Sequence, residues 1–314
     1  MKFSIVITTY NRLSFLKRAI ESAQKQTIPC EIVVVDDCSN DGTAEYLQSL
    51  GKLIIFRRNP QNLGQSFSVN LGVETAQGDW IKLIDDDDYL DPNCLEEMRR
   101  AIVLHPEAVI CSCQAKQVDI EGVEICQTPK IGTGKAVYIS QSDIHYGMLL
   151  DQLPLGTPSQ VAFARNTFFE SGSWNSSLDD FCNDSDSWLR IVQFGDAIFV
   201  NSCLVYRVVW VGNYNKKYSW QKRVESNIVI KEKIYNLVNE KYQSVIPSMS
   251  DICNYVKLCW FLVALKEKQV LIALKIASTL LLLPSFETLK LLINRILLSI
   301  SKKNFVSFKV NTIY

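Results

Sequence analysis

Four consecutive aspartates, residues 85–88, follow an apolar stretch in the segment "LIDDDDYLDP". In an extended chain, Asp85 and Asp87 share one face and lie about 7 Å apart. Two carboxylates at that distance repel each other by roughly 2–3 kcal/mol at an effective dielectric constant of about 20. Carboxylate oxygens are the hard ligands that suit Mg²⁺ or Mn²⁺. We therefore expect a bound divalent cation to offset the repulsion.

A second acidic pair, Asp36 and Asp37, ends the apolar segment "EIVVVDD". Both acidic clusters follow segments of strand character, and strands alternate with helices five times over the first 113 residues. Continuously apolar strands in this alternation predict a parallel sheet that is covered on both faces. Ligands of such sheets bind at the carboxyl ends of the strands. The two clusters are therefore predicted to lie along one edge of the sheet.

Helix signals accompany the first and fourth of these strands. Leu13, Leu16, Ile20 and Ala23 fall on one face of a predicted first helix, and Asn11 is predicted to be its N-cap. A proline after the aspartate run opens a further helix. After about residue 114 the alternation gives way to a polar hairpin region, further strands and, at 185–195, an amphipathic helix. The chain becomes helical from about residue 217.

Composition excludes several classes of function. The 314 residues carry 33 basic and 33 acidic side chains, and this balance argues against a nucleic-acid partner. The ten cysteines include no CxxC pair, which favours reduced thiols in a cytoplasmic protein. The N-terminal segment lacks the pattern of a signal peptide, so we expect a cytoplasmic location.

The usual phosphate-binding loops are missing from the sequence. No GxGxxG follows the first strand, and "PKIGTGKA" departs from a Walker loop at its first glycine and at its last position. These departures argue against dinucleotide-binding and P-loop proteins. The interpretation that remains is a nucleotide held by carboxylates and a metal ion. The ion would neutralise a diphosphate and stabilise charge on the departing nucleotide.

Four segments, in order and spacing, resemble family 2 glycosyltransferases of the GT-A fold: "SIVITTYN", "IVVVDDCSNDGT", "NLGQSFSVNLGVETAQGDWIKLIDDDDYLDP" and "NDSDSWLRI". The resemblance covers residues 3–113 and extends to about 195. It implies an α/β fold with a Rossmann-like, mostly parallel sheet and helices on both faces, to which the helical pattern after residue 217 adds a helical C-terminal extension. It also implies sugar transfer from a nucleotide donor to an acceptor hydroxyl, with inversion at the anomeric carbon.

The resemblance assigns nucleotide-binding roles to four residues. By position, Thr8 and Tyr10 line the nucleoside pocket, and Asp37 bonds the uracil edge. Asp86 lies beside the diphosphate. The family often has an arginine that contacts the nucleotide where this chain has Val69.

The resemblance also assigns a metal site and a catalytic residue. Asp85 and Asp87 match the DxD motif that binds Mn²⁺ or Mg²⁺, with Asp87 as the direct ligand. Asp184 matches the aspartate of the "ED" motif, the general base that takes the acceptor proton. A helix N-terminus favours an ionised carboxylate, so we expect Asp184 to be a base at neutral pH. Because Asn183 replaces the glutamate of that motif, a second carboxylate role is either lost or passes to Asp186.

The predicted domain organisation is a catalytic domain over residues 1–215 and a helical region over 216–314. Within the catalytic domain, residues 1–113 form the nucleotide-binding half and 114–215 the acceptor-binding half. The helical region mixes cations with apolar faces, which is typical of interfacial helices on an anionic leaflet. Packing onto the catalytic domain, or an oligomer contact, explains the same pattern.

The predicted function is metal-dependent, inverting transfer of a hexose or N-acetylhexosamine from a nucleotide sugar, with UDP as the expected nucleotide. The expected acceptor is a growing bacterial surface glycan, such as an O-antigen or capsule, free or on a polyprenyl diphosphate carrier. The enzyme is expected in the cytoplasm, peripheral to the inner face of the cell membrane. Two alternatives remain open: a nucleotidyltransferase of related fold, and a catalytically degenerate sugar-nucleotide-binding protein.

Overall fold

The computed structural model describes residues 1–176, 182–210, 218–280, 284–300 and 306–314. Its strands are β1 (Phe3–Thr9), β2 (Cys30–Asp36), β3 (Ile55–Arg58), β4 (Trp80–Asp85), β5 (Tyr89–Leu90), β6 (Ala108–Val118), β7 (Glu124–Gln127), β8 (Ala136–Ile139), β9 (Val161–Ala164), β10 (Asp196–Val208) and β11 (Asn311–Thr312). Its α-helices are α1 (Leu13–Gln24), α2 (Thr43–Ser49), α3 (Gln65–Thr75), α4 (Cys94–Leu104), α5 (Gln141–Leu149), α6 (Arg165–Glu170), α7 (Asn183–Ile191), α8 (Trp220–Leu237), α9 (Met249–Lys266), α10 (Val270–Ser278) and α11 (Phe286–Ile300).

The described strands form one sheet in the order β11-β8-β10-β6-β9-β4-β1-β2-β3, with β5 beside β10 and β7 beside β6. The pairs β3–β2, β2–β1 and β1–β4 are parallel, as the strand–helix alternation predicts. The fifth predicted strand is β6, and antiparallel β9 separates it from β4. The α/β architecture and the helical C-terminal region are confirmed. The sheet as a whole is mixed: β3, β2, β1 and β4 form one parallel block, and β6 and β10 form a further parallel pair.

Helices cover both faces of the parallel strands. On one face, Leu16 and Ile20 of α1 pack in a buried cluster with Ile5 and Ile7 of β1. On the other face, α3 contacts β1 and β2. Each fully buried aliphatic side chain stabilises the fold by about 1.5–3 kcal/mol relative to an exposed one. This packing fixes the strand ends that carry the acidic residues.

The start of α1 differs from the prediction. Asn11 is not the N-cap; Arg12 holds that position and makes no side-chain capping bond. Asn11 instead has a φ of 53°, and its Oδ1 accepts a hydrogen bond from the backbone N–H of Asn40 at 2.8 Å. Asp41 Oδ2 accepts the hydrogen bond from the first-turn N–H of Leu13 at 2.9 Å. The prediction failed because a neighbouring loop supplies the capping carboxylate and asparagine readily adopts a left-handed conformation.

A glycine permits the close packing of α3 on the sheet. A Cβ on Gly72 would lie 2.4 Å from Val6 Cγ1 and 3.3 Å from Val35 Cγ2. We expect Gly72→Ala to lower the free energy of unfolding by about 1–3 kcal/mol through overpacking, despite the gain in helix propensity. Urea unfolding measures the change. Val6→Ala removes the methyl group in question, so the double variant should lose less stability than the sum of the two single variants. Additive losses would contradict the packing explanation.

The described residues form two compact units. The first comprises 1–141, 155–211 and 310–314, and the second comprises 142–154 and 212–309. Two segments therefore lie on the other side of the predicted division near residue 215: 142–154 belong to the second unit and 310–314 to the first. Segment 142–154 joins the helices because Asp151 bonds Lys231 at 2.5 Å and Arg295 at 2.8 Å. The last residues join the sheet because the Ile313 N–H donates to the carbonyl of Ala136 at 2.8 Å.

Helix α9 organises the second unit. It contacts α8, α10 and α11, and the hydroxyl of its buried Tyr255 donates to Asp151 Oδ2 at 2.8 Å. Among the described residues, no helix combines the length and the apolarity needed to cross a bilayer.

Candidate functional site

The acidic clusters lie together at the carboxyl edge of the parallel strands, as predicted. In the register of the sheet, Thr9 of β1 pairs with Asp36, and Thr8 pairs with Asp85. The Thr9 hydroxyl donates to Asp86 Oδ2 at 2.8 Å. Parallel pairing therefore brings together two acidic segments that are about fifty residues apart in sequence.

The aspartate run is a turn and not an extended segment. Strand β4 ends at Asp85, and the N–H of Asp88 donates to the carbonyl of Asp85 at 3.0 Å. Asp86 and Asp88 are buried, whereas Asp85 and Asp87 are half-buried. The turn thus divides the run into two carboxylates held inside the protein and two that a ligand can reach.

Arg12 supplies part of the positive charge that the run requires. Its Nη1 lies 2.8 Å from Asp86 Oδ1 and 3.5 Å from Asp87 Oδ2. Trp210 Nε1 also donates to Asp87 Oδ2, at 2.9 Å. Neither Arg12 nor Trp210 was predicted from the sequence to act at the metal site. The charge of Arg12 and its place directly after "TTYN" were the available signal.

This compensation is incomplete, and the carboxyl pKa values reflect it. Burial raises the pKa of Asp86 to about 6, although Arg12 opposes the shift. Burial and the neighbouring Asp87 raise the pKa of Asp88 to about 7. Burial and the other three aspartates of the run raise the pKa of Asp85 well above its ordinary value. The edge therefore still favours an additional positive charge.

Two polar side chains that the sequence did not single out hold Asp85. Gln65 Nε2, at the start of α3, donates to Asp85 Oδ1 at 3.1 Å. The Ser159 hydroxyl, just before β9, accepts from the Asp85 N–H at 2.9 Å and lies 3.4 Å from Asp85 Oδ2. Neutral polar residues of this kind carry no signature in a single sequence.

The other residues that were predicted to bind the nucleotide lie on β1, directly after β1 and directly after β2, and Thr8 pairs with Asp85 in the sheet. Thr8 is half-buried and Tyr10 is exposed. Asp37 is buried, and its carboxylate accepts hydrogen bonds from Asn59 Nδ2 at 2.7 Å and from the backbone N–H groups of Leu63 and Gly64 at 2.8 and 2.9 Å. Asp37 thus holds the loop between β3 and α3 in place. Its contact with a uracil edge stays a prediction.

Val69 packs inside the protein. Its side chain is buried on α3, beside the sheet. An arginine at position 69 could therefore reach the open edge of the sheet only if α3 repacked.

Asp184 lies at the start of an amphipathic helix, as predicted. It is the second residue of α7, is half-buried, and accepts a 2.6 Å hydrogen bond from the Ser185 N–H. Burial raises its pKa above the ordinary value, the opposite direction from a simple helix-terminus effect. A carboxylate with a raised pKa is a stronger base. Asp186 is buried, and its Oδ2 lies 3.0 Å from Arg190 Nε. Its carboxylate is thus engaged in an ion pair within α7.

Two connections link Asp184 to the aspartate run. Asn183 Nδ2 donates to the Ser66 hydroxyl at 3.0 Å, and Ser66 follows the Gln65 that bonds Asp85. Burial raises the pKa values of Asp85, Asp88 and Asp184, and the charge of Arg207 opposes all three shifts. These carboxyl groups therefore share one nearby guanidinium. Sequence reasoning missed Arg207, for which a cation near the end of the last long strand was the available signal.

We expect Arg12→Gln to destabilise the protein in a pH-dependent manner. At pH 8, where buried Asp86 is ionised, loss of the cation should lower the free energy of unfolding by about 1–3 kcal/mol. A raised folded-state pKa makes a carboxyl cost stability as the pH rises through that pKa, here about 6. At pH 5, Asp86 is largely protonated and the loss should shrink. Urea unfolding at both pH values measures this, with exposed Arg99→Gln as the control. Equal losses at both pH values would contradict a role for Asp86.

The residues fit a divalent cation that is shared with a phosphate ligand. In the described part of the chain, no three His, Cys, Asp or Glu side chains are arranged to hold a metal ion by themselves. Mg²⁺ sites of nucleotide enzymes, however, commonly use one or two carboxylates and complete their coordination with waters and substrate phosphates. Asp87 and Asp85 offer such oxygens, and the Arg12 guanidinium beside Asp87 demonstrates that a positive charge is accommodated there.

Comparison with known proteins agrees with this geometry. Residues 4–162, just over half of the chain, match the family described as Glycosyl transferase family 2. An uncharacterized glycosyltransferase of Haemophilus influenzae is 28% identical over 192 residues, which cover 60% of this chain and 62% of that protein. The poly(ribitol-phosphate) beta-N-acetylglucosaminyltransferase TarS of Staphylococcus aureus is 26% identical over 182 residues, 54% of this chain and 32% of that protein. The chain thus spans less than two thirds of the length of these relatives.

Solved structures share the fold. TarS residues 1–349 superpose with a TM-score of 0.61 and 18% identity, covering 81% of this chain and 70% of that chain. The same TarS fragment with UDP-GlcNAc gives a TM-score of 0.58 at 17% identity and covers 83% and 81%. GalNAc-T7 with UDP, GalNAc and Mn²⁺ gives 0.51 at 21% identity and covers 68% and 45%. The fold is therefore GT-A-like, and the chain belongs to glycosyl transferase family 2.

Proposed function

We propose that the chain is an inverting glycosyltransferase that transfers a hexose or N-acetylhexosamine from a UDP-sugar to a hydroxyl group of a growing surface glycan. One observation carries the proposal: Thr9, Asp86, Arg12 and Asp87 form one connected cluster at the edge where parallel sheets bind ligands. TarS supports the donor class, since that protein has been solved with UDP-GlcNAc.

Asp184 is proposed as the general base. Its half-buried carboxylate would accept the proton of the acceptor hydroxyl as that oxygen attacks the anomeric carbon, while the bond to the UDP oxygen breaks on the opposite face. This arrangement requires no covalent intermediate, and it inverts the anomeric configuration. The name of TarS, a beta-N-acetylglucosaminyltransferase, is consistent with inversion of an α-linked UDP-sugar.

Asp87, with Asp85, is proposed to hold Mn²⁺ or Mg²⁺ together with the donor diphosphate. When bound, the ion would neutralise the diphosphate and stabilise the charge that develops on the departing UDP. Asp86 and Arg12 form the ion pair behind this site. Thr8 and Tyr10 are proposed to line the nucleoside pocket, and Asp37 to bond the uracil edge while it orders the loop between β3 and α3.

The acceptor is proposed to be a glycan, free or carried on a polyprenyl diphosphate. A lipid-linked acceptor would place the enzyme in the cytoplasm and peripheral to the inner face of the cell membrane. Acceptor specificity is proposed to depend on residues 114–215, the predicted acceptor-binding half.

A donor screen tests the proposal. UDP- and GDP-sugars are incubated with the protein and Mn²⁺, and the release of nucleoside diphosphate is measured against a sample with chelator. Slow hydrolysis of one UDP-sugar that stops with chelator is the expected result. Release of pyrophosphate from a nucleoside triphosphate would indicate a nucleotidyltransferase instead. Calorimetric binding of a UDP-sugar without turnover, even with glycan acceptors added, would indicate a sugar-nucleotide-binding protein that has lost catalysis.

A further inference from the structure

Helix α11 exposes a row of apolar side chains on its outward side. Phe286 is 79% exposed, Ile293 and Leu297 are each 55% exposed, and Leu289 and Ile296 are also exposed. These positions recur every three or four residues and therefore share one face of the helix. A helix of a globular protein normally turns such a face to the core. An outward apolar face indicates a contact with something other than water.

Polar contacts hold α11 in this orientation. The buried Thr288 hydroxyl donates to Asp251 Oδ1 at 3.0 Å, and Ser285 also bonds Asp251. Farther along, Arg295 Nη1 donates to Asp151 Oδ2 at 2.8 Å and lies 3.3 Å from the Tyr255 hydroxyl. Leu291, between Thr288 and Arg295 on the same side of the helix, is buried. The bonds of Thr288 and Arg295 therefore fix which side of α11 faces the rest of the unit and disfavour a rotated helix.

Helix α10 repeats the arrangement. Ala273 and Ile276 are buried in a cluster that includes residues of α9, whereas Leu271 is 77% exposed and Leu274 is 60% exposed. Val270 is exposed as well. We call the outward residues of α10 and α11 the apolar face: Val270, Leu271, Leu274, Phe286, Leu289, Ile293, Ile296 and Leu297.

Positive charge accompanies the apolar face. Lys266, Lys268, Lys275 and Lys290 are exposed on or next to the same helices. Between residues 257 and 314, the sequence has nine basic and two acidic side chains, which leaves 24 basic and 31 acidic side chains in residues 1–256. A chain that is neutral as a whole therefore carries about seven net positive charges in its last 58 residues and an equal negative excess elsewhere.

We infer that the apolar face inserts into the headgroup layer of an anionic bilayer, with the neighbouring lysines contacting lipid phosphates. Exposed apolar residues suit the acyl chains of such a bilayer, and the lysines that border them suit its anionic headgroups. A second copy of the chain is a poorer partner, because its equivalent surface carries the same net positive charge and would repel. The inference rests on the proposed function only in locating a lipid-linked acceptor near the enzyme. Binding itself needs no donor and no turnover.

Sedimentation with vesicles tests the apolar contribution. The full chain is mixed, without donor, with vesicles containing about 30% phosphatidylglycerol or with pure phosphatidylcholine vesicles. We expect preferential binding to the anionic vesicles. Ile293→Glu and Leu271→Glu should each weaken it at least about tenfold, because each removes an aliphatic side chain that the bilayer would bury and adds a charge that the anionic lipids repel. Ile125→Glu is the matched control: Ile125, on β7, is 56% exposed against 55% for Ile293. It should bind like the parent chain.

The lysines are tested separately. Lys268→Gln and Lys275→Gln should each weaken binding to anionic vesicles about fivefold, and added salt should weaken binding of the parent protein. Lys52→Gln, an exposed lysine of the first unit, is the control and should have no effect.

Three results would overturn the inference. These are failure of the parent chain to sediment with anionic vesicles, equal losses for Ile125→Glu and Ile293→Glu, and a stable oligomer in solution that Ile293→Glu dissociates. Donor hydrolysis is measured on the same preparations without lipid. Donor hydrolysis without vesicle binding would refute only the inference that the apolar face binds membranes. Vesicle binding without hydrolysis of any donor would refute only the proposed transferase function.

Discussion

Asp184→Asn is expected to lower the rate of UDP release from the preferred UDP-sugar by about 10²–10⁴-fold, the usual contribution of a general base. The amide is nearly isosteric and can still accept the Ser185 N–H, so neither the start of α7 nor donor binding should change. Burial raises the pKa of Asp184, and a general base is inactive when protonated. As the pH is lowered, the parent protein should therefore lose activity at a higher pH than it would with an ordinary aspartate. The residual activity of the variant should lack this pH dependence.

Two controls make the Asp184 result specific. Glu96→Gln also removes a carboxylate from the first turn of a helix, α4, and should leave turnover unchanged. Calorimetry should show that Asp184→Asn binds UDP with Mn²⁺ as tightly as the parent. If the variant retains the parental rate and pH profile, another group takes the proton and our assignment of the base is wrong.

Asp87→Asn is expected to have opposite effects on activity and stability. Without one carboxylate ligand, Mn²⁺-dependent UDP binding should weaken about 10–100-fold, and donor turnover should fall by at least about 10²-fold. Without the Asp87 charge, the pKa values of Asp85, Asp86 and Asp88 should move down toward ordinary values, since Asp87 raises all three. The metal-free variant should then be more stable than the parent by about 1 kcal/mol at pH 8.

The stability gain distinguishes a functional carboxylate from a structural one. Urea unfolding in chelator measures the gain, which should disappear at pH 5, where the neighbouring carboxyls are largely protonated. Asp91→Asn makes the same change four residues along the chain, at a carboxylate that bonds the N–H of Asn93. It should reduce stability slightly and leave donor turnover intact. Loss of both activity and stability in Asp87→Asn would indicate that Asp87 mainly supports the turn.

Much of the fold could be predicted because its signals are local. The apolar segments that became β1, β2 and β4, and the helical face that contains Leu16 and Ile20, show their periodicity within a dozen residues. The insertion of β9 between β4 and β6 could not be predicted in this way. Strand pairing of residues some fifty to eighty positions apart leaves no periodic trace in either segment. For the same reason, the pairing of the last strand with β8 was missed.

The residues of the site likewise fall into those that could be predicted from the sequence and those that could not. Carboxylates at strand ends and at the start of α7 could be recognised from residue type and position. Gln65, Ser159 and Arg207 were not, because each acquires its role only from what lies next to it in the folded chain. The assumption of an extended aspartate run failed as well, since one backbone hydrogen bond closes a turn there.

The sequence by itself determined the chemistry available to this protein: oxygen ligands at one sheet edge, a carboxylate at a helix start and a cationic, apolar C-terminal region. The tertiary structure alone decided which of these groups are charged and which face outward. Arg12 reaches Asp86 and Asp87 across about 75 residues, and burial shifts the Asp184 pKa against the helix-terminus expectation. Asp251 and Asp151 bind Thr288 and Arg295 of α11, and the side of the helix that carries Phe286 and Ile293 stays exposed. Residue type and short periods are local properties, whereas pKa, burial and orientation depend on the sum of contacts with distant parts of the chain.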